Sequence, residues 1–202
     1  RDSDTNAHNF RVTLYAIALG EKIGIDAMSM RALILGAFLH DVGKIGISDN
    51  ILLKPGKLTE DEFAVMRTHV MLGVDILDKS EWLKAALDVV GNHHEKFDGS
   101  GYPKGISGAS IPLNARIFAI VDVFDALASA RPYKAPMTCE AALAIIEKDS
   151  GTHFDPKLVV AFGTLASGLH ARFSTAPEDE LRTLLGEKAQ HYFIAASQLK
   201  PA

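Results

Sequence analysis

The sequence predicts an all-α domain. Apolar residues recur at helical spacing along most of the chain, and helix-start signals precede several of those runs. There is no internal repeat, no low-complexity run and no convincing strand pairing. With 202 residues, 48% of them hydrophobic, the chain suits one domain with a real core.

The elements follow in order. In 6–20, Phe10, Leu14, Ile17 and Ala18 fall at helical spacing, with Gly20 expected to end the run. Residues 26–40 form a second, very apolar helix behind Asp26 as N-cap, and its pattern stops at HDVGK, where Gly43 interrupts it. Segment 42–58 reads as loop, with KPGK as a turn. Thr59 with Glu62 is a capping box that opens a helix from 60 to about 78. Residues 82–95 read as a helix ending near two histidines, and the glycine- and proline-punctuated segment 96–112 as loop. A long apolar helix, 113–129, is broken by RPYKAP. Thr138 caps a helix over 139–149, and Asp155 followed by Pro156 opens another over 156–170. The chain divides into a main domain, 1–172, and a C-terminal helical extension, 173–202, packed on the domain or placed at an oligomer contact.

Composition narrows the function. A net charge of −4, from 21 basic and 25 acidic residues, gives no balance suited to long nucleic acid, although a small anion needs only local positive charge. The single cysteine, Cys139, excludes an internal disulfide framework and a CxxC zinc site, and fits a reducing, cytoplasmic setting. No stretch approaches the ~18 apolar residues of a membrane span, so no membrane contact is expected of this domain. No signal peptide is visible. The chain begins at Arg1 and enters a helical pattern directly, which reads as a domain cut from a longer protein whose remaining part holds regulatory input.

Eight histidines stand at positions 8, 40, 69, 93, 94, 153, 170 and 191. A lone histidine on a helix is more often a core or surface residue than a ligand. The combination reads differently. His40 and Asp41 end an apolar helix, where polar groups need partners. His93 and His94 end another, Asp122 interrupts the apolar run IFAIVDVFDALA, and His8 and His69 lie on helices of their own. Helical neighbours point about 100° apart, so His40–Asp41 and His93–His94 suit two nearby ions better than one. Five histidines and two aspartates exceed one four-coordinate zinc, and a donor set without thiolate fits iron, manganese or another first-row ion such as nickel. Two such ions are the usual apparatus of phosphodiester hydrolysis, with a hydroxide held between them as nucleophile. Lys44, Arg131 and Lys134 lie close in sequence to these ligands and are candidates to clamp a phosphate, Arg131 by a forked contact. Asp125, three residues after Asp122, reads equally as a residue that orients a ligand histidine and as a surface carboxylate.

The motifs together resemble the HD-GYP family of the HD phosphohydrolase superfamily. HDVGK at 40–44, HHEKFDGSGYP at 93–103 and DVFDALASARPYK at 122–134 carry the resemblance, which extends over about residues 4 to 162 and includes GTHFDP at 151–156. It implies an HD-domain helical core with extra helices, and hydrolysis of cyclic di-GMP to pGpG and in some members on to GMP. It implies metal ligands at His8, His40, Asp41, His69, His93, His94 and Asp122. Substrate contacts are implied at Lys44, Tyr102, Arg131 and Lys134, with Asp41 as the bridge between the ions and Lys44 neutralising the attacked phosphate. His93 and His94 are expected to serve separate ions. Asp4 stands where many members carry a glutamate ligand of a third ion; it is one methylene shorter, so a two-ion centre is expected. Implied partners are cyclic di-GMP, GGDEF-domain proteins docking on the GYP loop, and an N-terminal sensor or receiver domain. The alternatives are a phosphodiesterase for another cyclic dinucleotide, such as cyclic GMP-AMP, and a non-catalytic sensing or docking module. The retained ligand set disfavours the last.

Overall fold

The computed structural model describes residues 3–130 and 135–194, with side chains from residue 6 onward. It is all-α, and among the described residues there is no strand. Eleven α-helices are described: α1 (Ser3–Ile23), α2 (Ala27–Leu39), α3 (Asp49–Leu52), α4 (Glu60–Arg67), α5 (His69–Leu77), α6 (Leu87–Val90), α7 (Leu113–Ala128), α8 (Cys139–Lys148), α9 (Pro156–Gly163), α10 (Ala166–Phe173) and α11 (Glu178–Phe193). Short 3-10 turns stand at Val42–Gly46, Glu81–Ala86 and Gly108–Ser110. No described helix is long and apolar enough to cross a membrane.

The capping signals work as their chemistry requires. The Asp26 carboxylate accepts from the backbone nitrogens of Met28 and Ser29. Thr59 and Glu62 close both arms of the capping box, and Thr138 and Asp155 accept from the first turns of α8 and α9.

Several element boundaries differ from the sequence expectation, each for a local reason. Gly20 does not end α1, which continues to Ile23 and stops where Gly24 turns at a φ of 74°. A Cβ on Gly20 would stand 2.9 Å from Ile25 Cδ1 and from Met30 Cε, so this glycine lets α2 approach. The expected helix 60–78 is split at Thr68, whose hydroxyl donates to the Val65 carbonyl. The run 156–170 is split in the same way beside Thr164, whose hydroxyl donates to Ala161. Segment 42–58 holds a 3-10 turn and α3 rather than only loop. The expected helix 82–95 is a 3-10 turn followed by a single α-turn that ends at Val90, so both histidines lie beyond it.

The core is built around α1. Val12, Leu14, Tyr15, Ala16, Ile17 and Leu19 are all buried, which one helix achieves only when enclosed on several sides; α2, α7, α9 and α11 supply the walls. Tyr15 meets Phe124 edge to face at 5.7 Å, and Phe162 and Phe173 close the same pocket. Each such side chain buried contributes about 1.5–3 kcal/mol of transfer free energy. Leu181 and Leu185 of α11 belong to this core, and Lys188 Nζ lies 2.5 Å from Glu21 of α1. Arg116 on α7 reaches the α9 cap residue Asp155 at 2.5 Å. These contacts fix α1, α2 and α7 relative to one another, and each carries polar residues to one end of the core.

Candidate metal centre

Five histidines and two aspartates converge where α1, the end of α2, the start of α5, the turn after α6 and the middle of α7 meet. His8, His40 and Asp122 form one group, and His69, His93 and His94 another; within each, the candidate donor atoms lie within 4.8 Å of one another. Asp41 lies between them. Its Oδ2 is 3.2 Å from His40 Nε2 and its Oδ1 is 3.5 Å from His69 Nε2. The carboxylate therefore faces both groups at once.

The backbone sets the orientation of the rings. Nδ1 of His40 bonds the Ala37 carbonyl at 2.8 Å, and Nδ1 of His69 bonds that of Met66 at 2.7 Å. Nδ1 of His93 meets the carbonyls of Val89 and Val90 at 3.2 and 3.0 Å. Each bond fixes Nδ1 as donor, which leaves Nε2 with its lone pair toward the centre. His8 is held differently: its Nδ1 lies 2.7 Å from Asp125 Oδ2, while its Nε2 is 3.4 Å from Asp122. Asp125 is buried on α7 and also takes both arms of Arg11, at 2.7 and 3.0 Å. Of its two sequence readings, the orienting one describes its geometry.

His93 and His94 lie in the same group, against the expectation that they serve separate ions. The 100° stagger holds only inside an α-helix, and the chain has left the helix after Val90. Turns over 91–94 bring the two rings to 4.1 Å at 42°.

The electrostatics favour cation binding. Burial alone would favour a neutral Asp41, but His40, Lys44 and His93 outweigh it and hold the carboxyl well below its ordinary range. Burial likewise opposes ionisation of Asp122, and His8 and His40 overcome it. Burial makes His93 and His69 hard to protonate and pushes His94 down to about 4. These three imidazoles are therefore lone-pair donors at neutral pH. His8 differs: Asp122 and Asp125 outweigh burial and raise it to about 9, so a cation at this group must displace its proton.

Nε2 of His69 and of His93 are buried and hydrogen-bond to no described residue. Burying such atoms unpaired is costly, and a cation between them supplies the missing partner. An all-nitrogen-and-oxygen donor set with turned-in Nε2 atoms fits divalent first-row metal.

Lys44 bonds Asp41 Oδ2 at 2.5 Å, with its ammonium beside the centre. The loop carrying Gly99 and Gly101 packs on the backbone of His94, Glu95 and Lys96. A Cβ on Gly101 would stand 2.5 Å from Glu95 Cα and from the His94 carbonyl oxygen, so only glycine permits that approach. Tyr102 donates its backbone N–H to His94 at 3.2 Å and stacks its ring on the His94 imidazole, centroids 4.7 Å apart. Arg131 and Lys134 lie outside the described residues, as does the side chain of Asp4. His153, His170 and His191 take no part: they contact Phe154, Phe124 and Tyr192 respectively.

Three residues of the site were missed in the sequence. Arg11 is a charged residue on the buried stripe of α1, three positions after His8, and that spacing was the available signal. Glu95 is buried and accepts the Lys104 backbone N–H at 2.7 Å, tying the loop down; its place directly after the histidine pair was the only cue. Arg67 lies over the Tyr102 ring, which only the fold reveals.

A helical domain whose polar end gathers five histidines around an aspartate is a candidate metal-binding scaffold. The family model described as HD domain matches residues 1–158, and the chain belongs to that family, in its HD-GYP branch. It is 47% identical over 163 residues to the cyclic di-GMP phosphodiesterase response regulator RpfG of Xanthomonas campestris, covering 80% of this chain and 43% of that protein. It is 45% identical over 161 residues to the 3'3'-cGAMP-specific phosphodiesterase 2 of Vibrio cholerae, covering 79% and 31%. The chain thus spans less than half the length of either relative. A solved cyclic GMP-AMP specific phosphodiesterase of V. cholerae, V-cGAP3, shares the fold with a TM-score of 0.67 at 20% identity, covering 87% of this chain and 48% of that one.

Proposed function

We propose that this domain is a metal-dependent phosphodiesterase that hydrolyses cyclic di-GMP to pGpG. The observation that carries the proposal is the Asp41 carboxylate facing two three-residue ligand groups at once. That arrangement suits a pair of ions rather than one, and several relatives above 40% identity are named as cyclic di-GMP phosphodiesterases. His8, His40 and Asp122 would hold one ion and His69, His93 and His94 the other, with Asp41 facing both groups. Iron or manganese fits the donor set best. When bound, the pair supplies Lewis-acid charge at the phosphodiester and water activated at neutral pH.

The chain's own residues do the rest. The Nδ1 bonds of His40, His69 and His93, with Asp125 behind His8, preset the imidazoles, so little reorganisation is needed. Lys44 places a positive charge beside Asp41, where a phosphate oxygen gains charge as the bond breaks. Arg131 and Lys134 hold a phosphate. Tyr102, against His94, forms the wall past which the nucleotide enters.

The test pairs metal analysis with an anaerobic assay. Protein loaded with iron or manganese should convert cyclic di-GMP to pGpG, followed by chromatography, and the H40A/D41A double variant should lose turnover while keeping its helical circular dichroism. Retained turnover in a metal-verified double variant refutes the site.

The V. cholerae relative named as specific for 3'3'-cGAMP supports a second reading, cyclic GMP-AMP as substrate of the same centre. A panel of cyclic dinucleotides at equal concentration decides between them by relative kcat/KM.

A further inference from the structure

We infer that Arg67 reads the guanine base of the nucleotide bound at this centre. Arg67 is the last residue of α4 and is exposed. Its guanidinium carbon lies 4.8 Å from the centroid of the Phe63 ring and 4.7 Å from that of Tyr102. The two rings are nearly perpendicular, 81°, with centroids 6.4 Å apart, so they form a corner in which the guanidinium sits. Tyr102 is in turn stacked on His94, one of the three donors of an ion group. A continuous stack therefore runs from the metal centre to an arginine at its rim. The inference rests on the phosphodiesterase reading of that centre.

The chemistry of the corner selects the ligand. Arg67 makes no ion pair with a carboxylate among the described residues, so its charge is not spent internally. Cation–π contacts with two rings restrain its plane while leaving its N–H edge to donate. A guanidinium held this way offers two parallel donors, which match two acceptors side by side. Guanine presents that pair in O6 and N7. Adenine presents an acceptor and a donor at the same edge and cannot accept both bonds.

Position separates this residue from the phosphate contacts. Lys44 touches Asp41 between the ligand groups, where a scissile phosphate belongs. Arg67 stands farther out, with the Tyr102 ring between it and His94. The bare sequence hides this because Arg67 reads there as one cation within a helix expected over 60 to about 78. Only the fold of the 96–112 loop brings Tyr102, 35 positions later in the chain, under it.

The test is equilibrium binding of pGpG and pApA to metal-loaded protein, by calorimetry, in the wild type, Arg67→Ala and Arg67→Lys, with metal content matched. The wild type should bind pGpG more tightly. Arg67→Ala should weaken pGpG about 5- to 100-fold and pApA by less than about threefold. Arg67→Lys should behave like alanine, because a point charge lacks the fork. An equal loss for both ligands, no loss for either, or rescue by lysine overturns the inference. Cyclic di-GMP turnover by the wild type is scored separately. Its absence sinks the phosphodiesterase reading, whereas the pGpG-to-pApA ratio decides Arg67 alone.

Discussion

Gly43 lies so close to His69 that a Cβ on the glycine would collide with the histidine's carbonyl oxygen and with the backbone nitrogen of Gly73. The 3-10 turn Val42–Gly46 and helix α5 are thus in backbone contact, and this contact brings Asp41 to His69. Gly43→Ala should force α5 away and cost about 1–3 kcal/mol by overpacking, with loss of bound metal. Gly168→Ala on α10, where an added Cβ meets nothing within 4 Å, should be neutral or stabilising by about 0.5–1 kcal/mol. Denaturant midpoints and metal analysis of both variants check the pair. Equal midpoints would show that the contact is not a constraint.

His153 lies outside the two ligand groups and adds a pH dependence of its own. Its ring stacks on Phe154 at 4.1 Å, and burial, helped by Lys96, lowers its pKa from the ordinary 6.5. A histidine depressed by folding stabilises the protein above its unfolded pKa, and that contribution is lost as pH falls from about 6.5 through the folded value. Metal-free protein should therefore weaken as pH drops below about 6.5, and His153→Gln should weaken less steeply. Denaturant midpoints across pH 7.5 to 5 measure this. Parallel curves would mean His153 titrates alike folded and unfolded.

The helical class and most caps were legible because they are local. Asp26, Thr59 with Glu62, Thr138 and Asp155 each act on residues two or three positions away. The breaks at Thr68 and near Thr164 were not, because a side-chain bond to a carbonyl one turn back leaves no mark on the apolar period. The convergence of His8, His40, Asp41, His69, His93, His94 and Asp122 was foreshadowed by the motifs. Their grouping was not. Whether His93 and His94 share a group depends on where α6 ends, and Arg11 and Arg67 gain meaning only from partners far away in sequence.

The two ligand groups predict separable losses of metal. His8→Ala removes a donor from the group with His40 and Asp122, and His93→Ala one from the group with His69 and His94. Each variant should fall from two ions per chain to about one, with the remaining ion still held. Metal content by plasma mass spectrometry after equal dialysis is the measurement. Loss of both ions from each variant would show that one shared pocket, not two groups, holds the metal.

Asp125 should act on one group alone. It bonds His8 Nδ1 at 2.7 Å and carries Arg11, and it touches no donor of the His69 group. Asp125→Asn keeps the shape but removes the charge that sets the His8 tautomer and its basicity. Losing such a partner lowers metal affinity about 10- to 100-fold. The loss should fall on the ion held by His8, His40 and Asp122, while the other ion keeps its wild-type affinity. The ion pair between Arg11 and Asp125 is also removed, so a general weakening of the fold must be distinguished from a specific effect. Competition with a chelator resolves the two ions: a structural defect lowers both affinities together, and an orienting role lowers one. Equal loss at both would remove Asp125 from the metal centre.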